Sequence, residues 1–272
     1  MGKFDGILFC TDLDGTILRE DKTISKENLE AIEYFKREGG YFTFVTGRMP
    51  FYVNGICEAI NPNAPFGCIN GGGLYDKKKE EYIWTSEMPD GVFELIDCVA
   101  EALVEVGIQV NTFYKTYFCR DNDTMQYFRE VTGLPKLTCE YKSVKEPIAK
   151  IIFGSEKNEE ILAVDRVLRS HKSAGKFDFI RSERALFEIL PKGINKGVVI
   201  EKLAEYLGID KKRTIAIGDY NNDVAMLKKA GVGIAVANAS PEALAAADIV
   251  TVSNEEHAIA RVICDIEEGK IL

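Results

Sequence analysis

Gly6-Ile7-Leu8-Phe9-Cys10-Thr11 runs straight into Asp12-Leu13-Asp14-Gly15-Thr16, and the fold turns on how that junction is read. A hydrophobic run that stops abruptly at two carboxylates reads as a buried parallel strand delivering acids to the carboxyl edge of a sheet, where open α/β folds place their ligands. On extended backbone, residues two apart point the same way, so Asp12 and Asp14 can serve one site. Two close carboxylates repel each other unless a cation or a shared proton relieves them, which points to a hard metal or to one acid held protonated. Taken alone, the pentapeptide also suits a surface Asx-turn bending at Gly15.

Outward from this junction, strand and helix patterns alternate. Ser25 is placed to cap a helix carrying Leu29, Ile32 and Phe35 on one side, with Gly39-Gly40 as its stop. Tyr41 to Val45 reads as a second buried strand ending in Thr46-Gly47-Arg48, and Phe66 to Ile69 as a third ending in Asn70-Gly71-Gly72-Gly73. This β-α-β-α-β order predicts a parallel sheet with right-handed crossovers. After about residue 78 the texture shifts to short aromatic strands such as Tyr82-Ile83-Trp84 and a regular amphipathic helix from Val92 to Val106. The first texture returns near Pro191, with a helix through Val199, Leu203 and Leu207 and the strand Thr214 to Ile217. The reading is α/β: a Rossmann-like parallel-sheet core from residues 1–78 and 190–272, interrupted by an α+β module over 79–189.

Composition narrows the function. The 272 residues, 46% hydrophobic and 28% charged, are those of an ordinary globular chain long enough for two domains. A net charge of -9, from 43 acidic and 34 basic side chains, lacks the basic footprint of a nucleic-acid binder, so no nucleic-acid partner is expected. Strand pattern begins almost at once and no stretch of about 18 apolar residues occurs; a cytoplasmic protein without a membrane partner is expected. Seven cysteines, an odd number with no CxxC pair, read as reduced thiols. The two histidines, His171 and His257, adjoin no Ser or Cys motif, which leaves a His-based triad unsupported.

Four junctions between core elements and loops carry the chemistry: Asp12 to Thr16, Thr46-Gly47-Arg48, Asn195-Lys196-Gly197, and Gly218-Asp219-Tyr220-Asn221-Asn222-Asp223. Three follow apolar strands and would meet at one sheet edge. The other opens a helix, where a cation opposes the macrodipole at a cost of roughly a few tenths of a kcal/mol unless an anion sits beside it. Thr46 and Gly47 offer a hydroxyl and unobstructed N–H groups of the kind that bind phosphate oxygens. The stretch from Asp219 to Asp223 partly imitates a calcium loop, yet Val224 stands where the turn glycine belongs and Ala230 where the bidentate Glu belongs. Neither a phosphate-loop nor a dinucleotide fingerprint is present.

In this order, with a large insert between the second and third, the four segments resemble the haloacid dehalogenase-like phosphatases, and more narrowly their Cof-type members. Asn70-Gly71-Gly72 before the insert and Asn238-Ala239-Ser240-Pro241-Glu242 near the end extend the resemblance over essentially the whole chain. It implies a magnesium-dependent phosphatase acting on small phosphorylated metabolites, sugar phosphates foremost, through an aspartyl-phosphate. Residue by residue, Asp12 would be the nucleophile and Asp14 the acid and base. Magnesium would be held by Asp12, the Asp14 backbone carbonyl and Asp219, with Asp223 supporting the metal shell or Lys196. Leu13, Thr46, Gly47, Lys196 and Asn222 would cradle the phosphoryl oxygens. The insert would be a cap that closes over the site and selects the leaving group. Candidate substrate contacts are Arg48 and Asn70 and, in the insert, Arg181 together with Glu183 and Arg184, with Asn111 and Arg120 behind them. His257 stands where the family usually has Gly. A phosphosugar mutase or a non-catalytic phosphometabolite sensor are the alternatives, and the sequence leaves oligomeric state open.

Overall fold

A computed structural model describes residues 2–272. The chain divides into two compact units, one from residues up to Thr85 joined by Asn195–Leu272, the other Ser86–Ile194.

In the first unit the elements run β1 (Leu8–Thr11), α1 (Lys26–Arg37), β2 (Tyr41–Phe44), α2 (Asn54–Ile60), β3 (Phe66–Cys68), β4 (Gly73–Asp76) and β5 (Glu81–Thr85). Those of the second unit are α3 (Val92–Ala102), β6 (Gly107–Thr112), β7 (Thr116–Arg120), α4 (Asp123–Thr132), β8 (Ile148–Gly154), α5 (Asn158–Ser170), β9 (Phe177–Glu183) and β10 (Leu186–Pro191). The chain then returns to the first unit with α6 (Lys196–Leu207), β11 (Thr214–Gly218), α7 (Val224–Lys229), β12 (Val232–Ala235), α8 (Pro241–Ala246), β13 (Ile249–Val250) and α9 (Ala258–Glu267). Among the described residues no helix is long and apolar enough to cross a membrane.

The main sheet of the first unit has the order β13-β12-β11-β1-β2, and every pairing in it is parallel. β1 is wholly buried, as expected for a strand covered on both faces. Thr11 lies level with Ile217 on one side and Phe44 on the other, so three strands end together and their following loops share one edge. The Asp12 N–H donates to the Ile217 carbonyl at 2.9 Å, which carries the ladder one residue further and fixes the first carboxylate relative to β11.

Two sequence expectations change here. The third strand does not extend the main sheet: it meets the end of β2 through the isolated parallel bridge between Val45 and Gly67 and the stacked rings of Phe44 and Phe66, and its ladder runs antiparallel to β4. The left-handed backbone of Ile69, Asn70 and Gly71 (φ 57°, 50° and 100°) turns the chain straight back into β4 and forms that hairpin. The unit boundaries also move at both ends: residues 79–85, expected in the insert, belong to the first unit because β5 pairs antiparallel with β4, and residues 190–194, expected in the core, belong to the second, into which β10 carries the chain as far as Pro191.

The second unit holds a five-stranded antiparallel sheet of order β7-β6-β8-β10-β9. Alternation along its strands sends Ile108, Val110, Ile151, Phe153, Phe187 and Ile189 into one apolar cluster with Leu95, Val99, Val164 and Leu168 of α3 and α5. This is the α+β packing of helices on one face of an antiparallel sheet.

Candidate active site

The carboxyl edge of the main sheet gathers the acids. Asp12 is 5% exposed and Lys196 1%. Lys196 is the first residue of α6, whose amino terminus is capped by the Asn195 side chain accepting from the Gly197 N–H. Its Nζ donates to Asp12 Oδ1 at 2.5 Å and to Asp223 Oδ1 at 2.6 Å. A cation in the wrong place for the helix dipole is thus held by two anions. Asp223 also accepts, through Oδ2, from the Asp219 and Tyr220 N–H groups, both at 3.0 Å. The Thr16 hydroxyl donates to Asp219 Oδ1 at 3.0 Å. Gly15, at φ 78°, has to be glycine on two counts, because a Cβ there would also lie 2.4 Å from Asp219 Oδ2.

Carboxylate oxygens of Asp12, Asp219 and Asp223 all lie within 4.8 Å of one another. With Lys196 charged, three carboxylates against one ammonium leave two buried negative charges. The acids respond accordingly. Burial, reinforced by the Asp223 charge and only partly offset by Lys196, pushes Asp12 well above the usual carboxylate range. Burial and the same Asp223 charge push Asp219 up to about 7. Burial alone would favour the neutral amine of Lys196, but the Asp12 and Asp223 charges outweigh it and keep the ammonium charged. The excess charge therefore falls on the acids. An oxygen-only donor set with two uncompensated negative charges fits a hard divalent cation.

This sets a pH-dependent expectation. An acid whose folded pKa is raised binds a proton that the unfolded chain has already lost, so the metal-free protein loses stability from this group as pH rises from the ordinary 3.8 to about 7. A divalent ion held by the deprotonated acids would restore the loss. The gain in melting temperature from saturating magnesium should therefore grow between pH 5 and pH 7 and level off above, measured by scanning fluorimetry. A gain that does not vary with pH would remove Asp219 from the ligand set.

Asp14 is placed differently. Its carboxylate sits in a fork made by Arg48, with Nε donating to Oδ2 at 2.9 Å and Nη2 to Oδ1 at 2.7 Å, and Lys22 Nζ reaches Oδ1 at 3.0 Å. Burial would raise its carboxyl, but the hydrogen bonds and charge of Arg48, with help from Lys22, outweigh that and hold it below the usual range. Arg48, expected at a substrate, is here an ion-pair partner of Asp14. Lys22 was missed because it sits in a polar loop with no pattern around it.

Thr46, 2% exposed, accepts through Oγ1 from the Arg48 N–H at 3.2 Å. Gly47 packs against Asn70, whose Oδ1 would lie 2.9 Å from a Cβ at that position, and Asn70 Oδ1 accepts from Asn222 Nδ2 at 3.1 Å. Thr46, Gly47, Asn70 and Asn222 are therefore neighbours beside the acids. Left-handed backbone at Ile69 and Asn70 costs of order 1–3 kcal/mol each and persists where surrounding structure over-determines it; the Gly71 position, with Asn195 O 2.0 Å from a would-be Cβ, is part of that surround. Leu13 is fully buried, and its carbonyl accepts from the Leu18 N–H at 2.9 Å.

A further ring of contacts braces these loops. Asn238 Nδ2 donates to the Gly15 carbonyl at 2.9 Å, the Ser240 N–H to the Asp219 carbonyl at 2.8 Å, and Asn254 Nδ2 to the Leu18 carbonyl at 3.0 Å. His257 adopts φ 61°, a left-handed conformation that explains why glycine suits this place. Its ring lies 3.3 Å from Arg19 and 3.4 Å from Glu27. In the second unit Arg181 donates to Asn158 Oδ1 at the start of α5 at 2.8 Å and, within its own hairpin, to the Arg184 carbonyl at 2.5 Å. Arg120 bonds the Leu103 and Ala100 carbonyls at 2.9 and 3.0 Å, closing the end of α3.

A family model described as haloacid dehalogenase-like hydrolase matches residues 9–263. The chain belongs to that family. Within it, the protein is similar to the 5-amino-6-(5-phospho-D-ribitylamino)uracil phosphatase YitU of Bacillus subtilis, 28% identical over 94% of this chain and 96% of the relative. It is also 27% identical to a second B. subtilis protein of the same description, YwtE, over 95% and 97% of the two chains. Among solved structures, a haloacid dehalogenase-like hydrolase from Bacteroides thetaiotaomicron superposes with a TM-score of 0.82 at 25% identity, covering 96% of this chain and 99% of that one. This haloacid dehalogenase-like hydrolase is an enzyme of the phosphatase type, with its acids and its lysine at one sheet edge.

Proposed function

We propose that this hydrolase is a magnesium-dependent phosphomonoesterase that cleaves small phosphorylated metabolites, sugar and polyol phosphates foremost, through an aspartyl-phosphate on Asp12. The observation that carries the reading is the buried Asp12 bonded to Lys196 beside two further acids. A buried carboxylate is a strong oxygen nucleophile once its charge is neither hydrated nor buried in excess. Asp12 attacks phosphorus, the ester oxygen leaves as the alcohol, and water then cleaves the acyl phosphate to regenerate Asp12.

Lys196, the Thr46 hydroxyl and the N–H groups of Leu13 and Gly47, with Asn222 beside them, supply donors for phosphoryl oxygens whose charge spreads in the transition state. Asp12, Asp219 and the Asp14 backbone carbonyl would hold magnesium, which offsets repulsion between carboxylate and phosphoryl oxygens; Asp223 braces the cluster through Lys196 and the loop N–H groups. Asp14 is held as a carboxylate by Arg48 and Lys22, the form needed to activate water. To protonate a leaving alcohol it has to be released from that fork. The named substrate of the YitU relative carries its phosphate on a polyol chain, which supports the substrate class. All seven cysteines are free thiols, in keeping with a cytoplasmic location.

The test is phosphate release from p-nitrophenyl phosphate with magnesium and after chelation. Turnover that appears with metal and stops on chelation is expected. A folded protein inert in magnesium would overturn the reading.

A further inference from the structure

We propose that Cys119 and Cys139 are a modification site: a thiol pair that a small disulfide oxidises reversibly, clasping the chain after α4 onto β7. Both residues lie within the second unit, and the pair stands independently of the phosphatase reading. Cys119 is on β7, an edge strand of the sheet. Alternation turns Tyr117 and Cys119 toward the apolar cluster under α3 and α5, and Phe118 toward the opposite face. The chain that leaves α4 returns along the outer side of β7, where the Phe118 N–H donates to the Leu137 carbonyl at 2.8 Å.

Two residues beyond Leu137, Cys139 packs on the same cluster as Cys119. Tyr141 follows it there, its hydroxyl donating to Asp97 Oδ1 of α3 at 2.6 Å. Backbones joined by a strand-type hydrogen bond run about 5 Å apart, within the roughly 4.4–6.8 Å between Cα atoms that a disulfide spans. The side chains meet across that gap: the Cys119 thiol is hydrogen-bonded with Cys139. The pair is unbridged, since all seven cysteines are free thiols.

The two thiols are unlike. Both are half-buried, but Cys139 sits in irregular chain between Thr138 and Glu140, which are exposed. Burial, with the charge of Cys139 beside it, pushes the Cys119 thiol up to about 12. The thiolate is the nucleophile, so Cys139 is the one that meets the oxidant. Its sulfur attacks oxidised glutathione, forms a mixed disulfide and releases one glutathione thiolate. Bonded to sulfur, Cys139 no longer carries the charge that opposes ionisation of Cys119. The Cys119 sulfur then gives its proton to solvent, displaces the second glutathione and closes the Cys119–Cys139 bond. Two electrons and two thiol protons leave the protein, and one glutathione disulfide becomes two thiols. Cys119 ionises rarely, so closure is slow and answers sustained oxidation.

The experiment incubates the reduced, folded chain with excess oxidised glutathione, blocks free thiols with iodoacetamide in denaturant, and maps tryptic peptides without reduction. Thr116–Arg120 and Leu137–Lys142 should appear joined, in a chain lighter by two hydrogens. The bond closes a loop through α4 and so restricts the unfolded chain. Oxidised wild type should therefore melt several degrees above the reduced form, and dithiothreitol should reverse both effects. Cys139→Ser should abolish the joined peptides and the melting shift. Cys119→Ser should stop at the mixed disulfide on Cys139, which a merely structural thiol at position 119 would not cause. The proposal is overturned if both thiols of wild type remain open to iodoacetamide. It is equally overturned if glutathione accumulates on Cys139 of wild type without joined peptides, or if the exposed Cys264 captures either thiol instead.

Discussion

Asp12→Asn should lower kcat at least about 10⁴-fold while leaving the fold intact. The amide matches the carboxylate in shape but cannot form an acyl phosphate, and Lys196 keeps its 2.6 Å bond to Asp223. Burial pushes the Asp12 carboxyl upward in the native protein. Its ionised form is therefore the one disfavoured by folding, and the variant's stability relative to wild type should rise with pH in the absence of metal. Single-turnover phosphate release and thermal melting at two pH values separate the effects. Residual turnover above about one part in a hundred would remove Asp12 as the nucleophile, since water, binding and electrostatics alone do not supply that much.

Lys196→Met is expected to cost stability as well as activity. The ammonium is 1% exposed and sits between side chains that are 7% and 0% exposed. Removing one member of a buried charge group leaves its partners uncompensated, at about 3–5 kcal/mol, and a lost donor to the transferring phosphoryl group lowers kcat roughly 10²–10³-fold. The acids can escape the penalty by taking up protons, so the stability loss should be larger at pH 8 than at pH 5. Adding Asp223→Asn should recover part of it, because one stranded charge disappears. Denaturant unfolding of the single and double variants at both pH values tests this. A loss that is the same at the two pH values would mean that Lys196 does not compensate the acids.

Much of this centre was legible from β1 outward because a buried strand that stops at two acids has few other uses. Thr46-Gly47 and Asp219 to Asp223 follow strands of the same sheet, and parallel neighbours end at one edge. The partner of Asp14 was not legible: whether Arg48 meets a substrate or a carboxylate depends on how the chain leaves β2, which no periodicity records. Nor was the fate of β3. Three apolar residues after a helix look alike whether they extend a parallel sheet or open a hairpin, and the choice was made by the left-handed turn at Ile69 and Asn70. Ile there defies local preference, so only the following glycines hinted at it. Tyr82-Ile83-Trp84 has the aromatic texture of the insert but pairs with β4. In the second unit, charge drew attention to Arg120 and Arg181, both occupied by nearby backbone carbonyls.

The pairing of Leu8 with Thr214 also bears on how the protein is made. With roughly 200 residues between them, a ribosome adding about 5–20 residues each second needs on the order of 10–40 s to supply β11 after β1 has been polymerised. Throughout that interval a largely apolar strand has one open edge on a nascent chain, a template for pairing with other chains. The module over Ser86–Ile194 has its own apolar cluster and completes its sheet from residues synthesised in the meantime, so the middle of the polypeptide is free to fold before its two ends can.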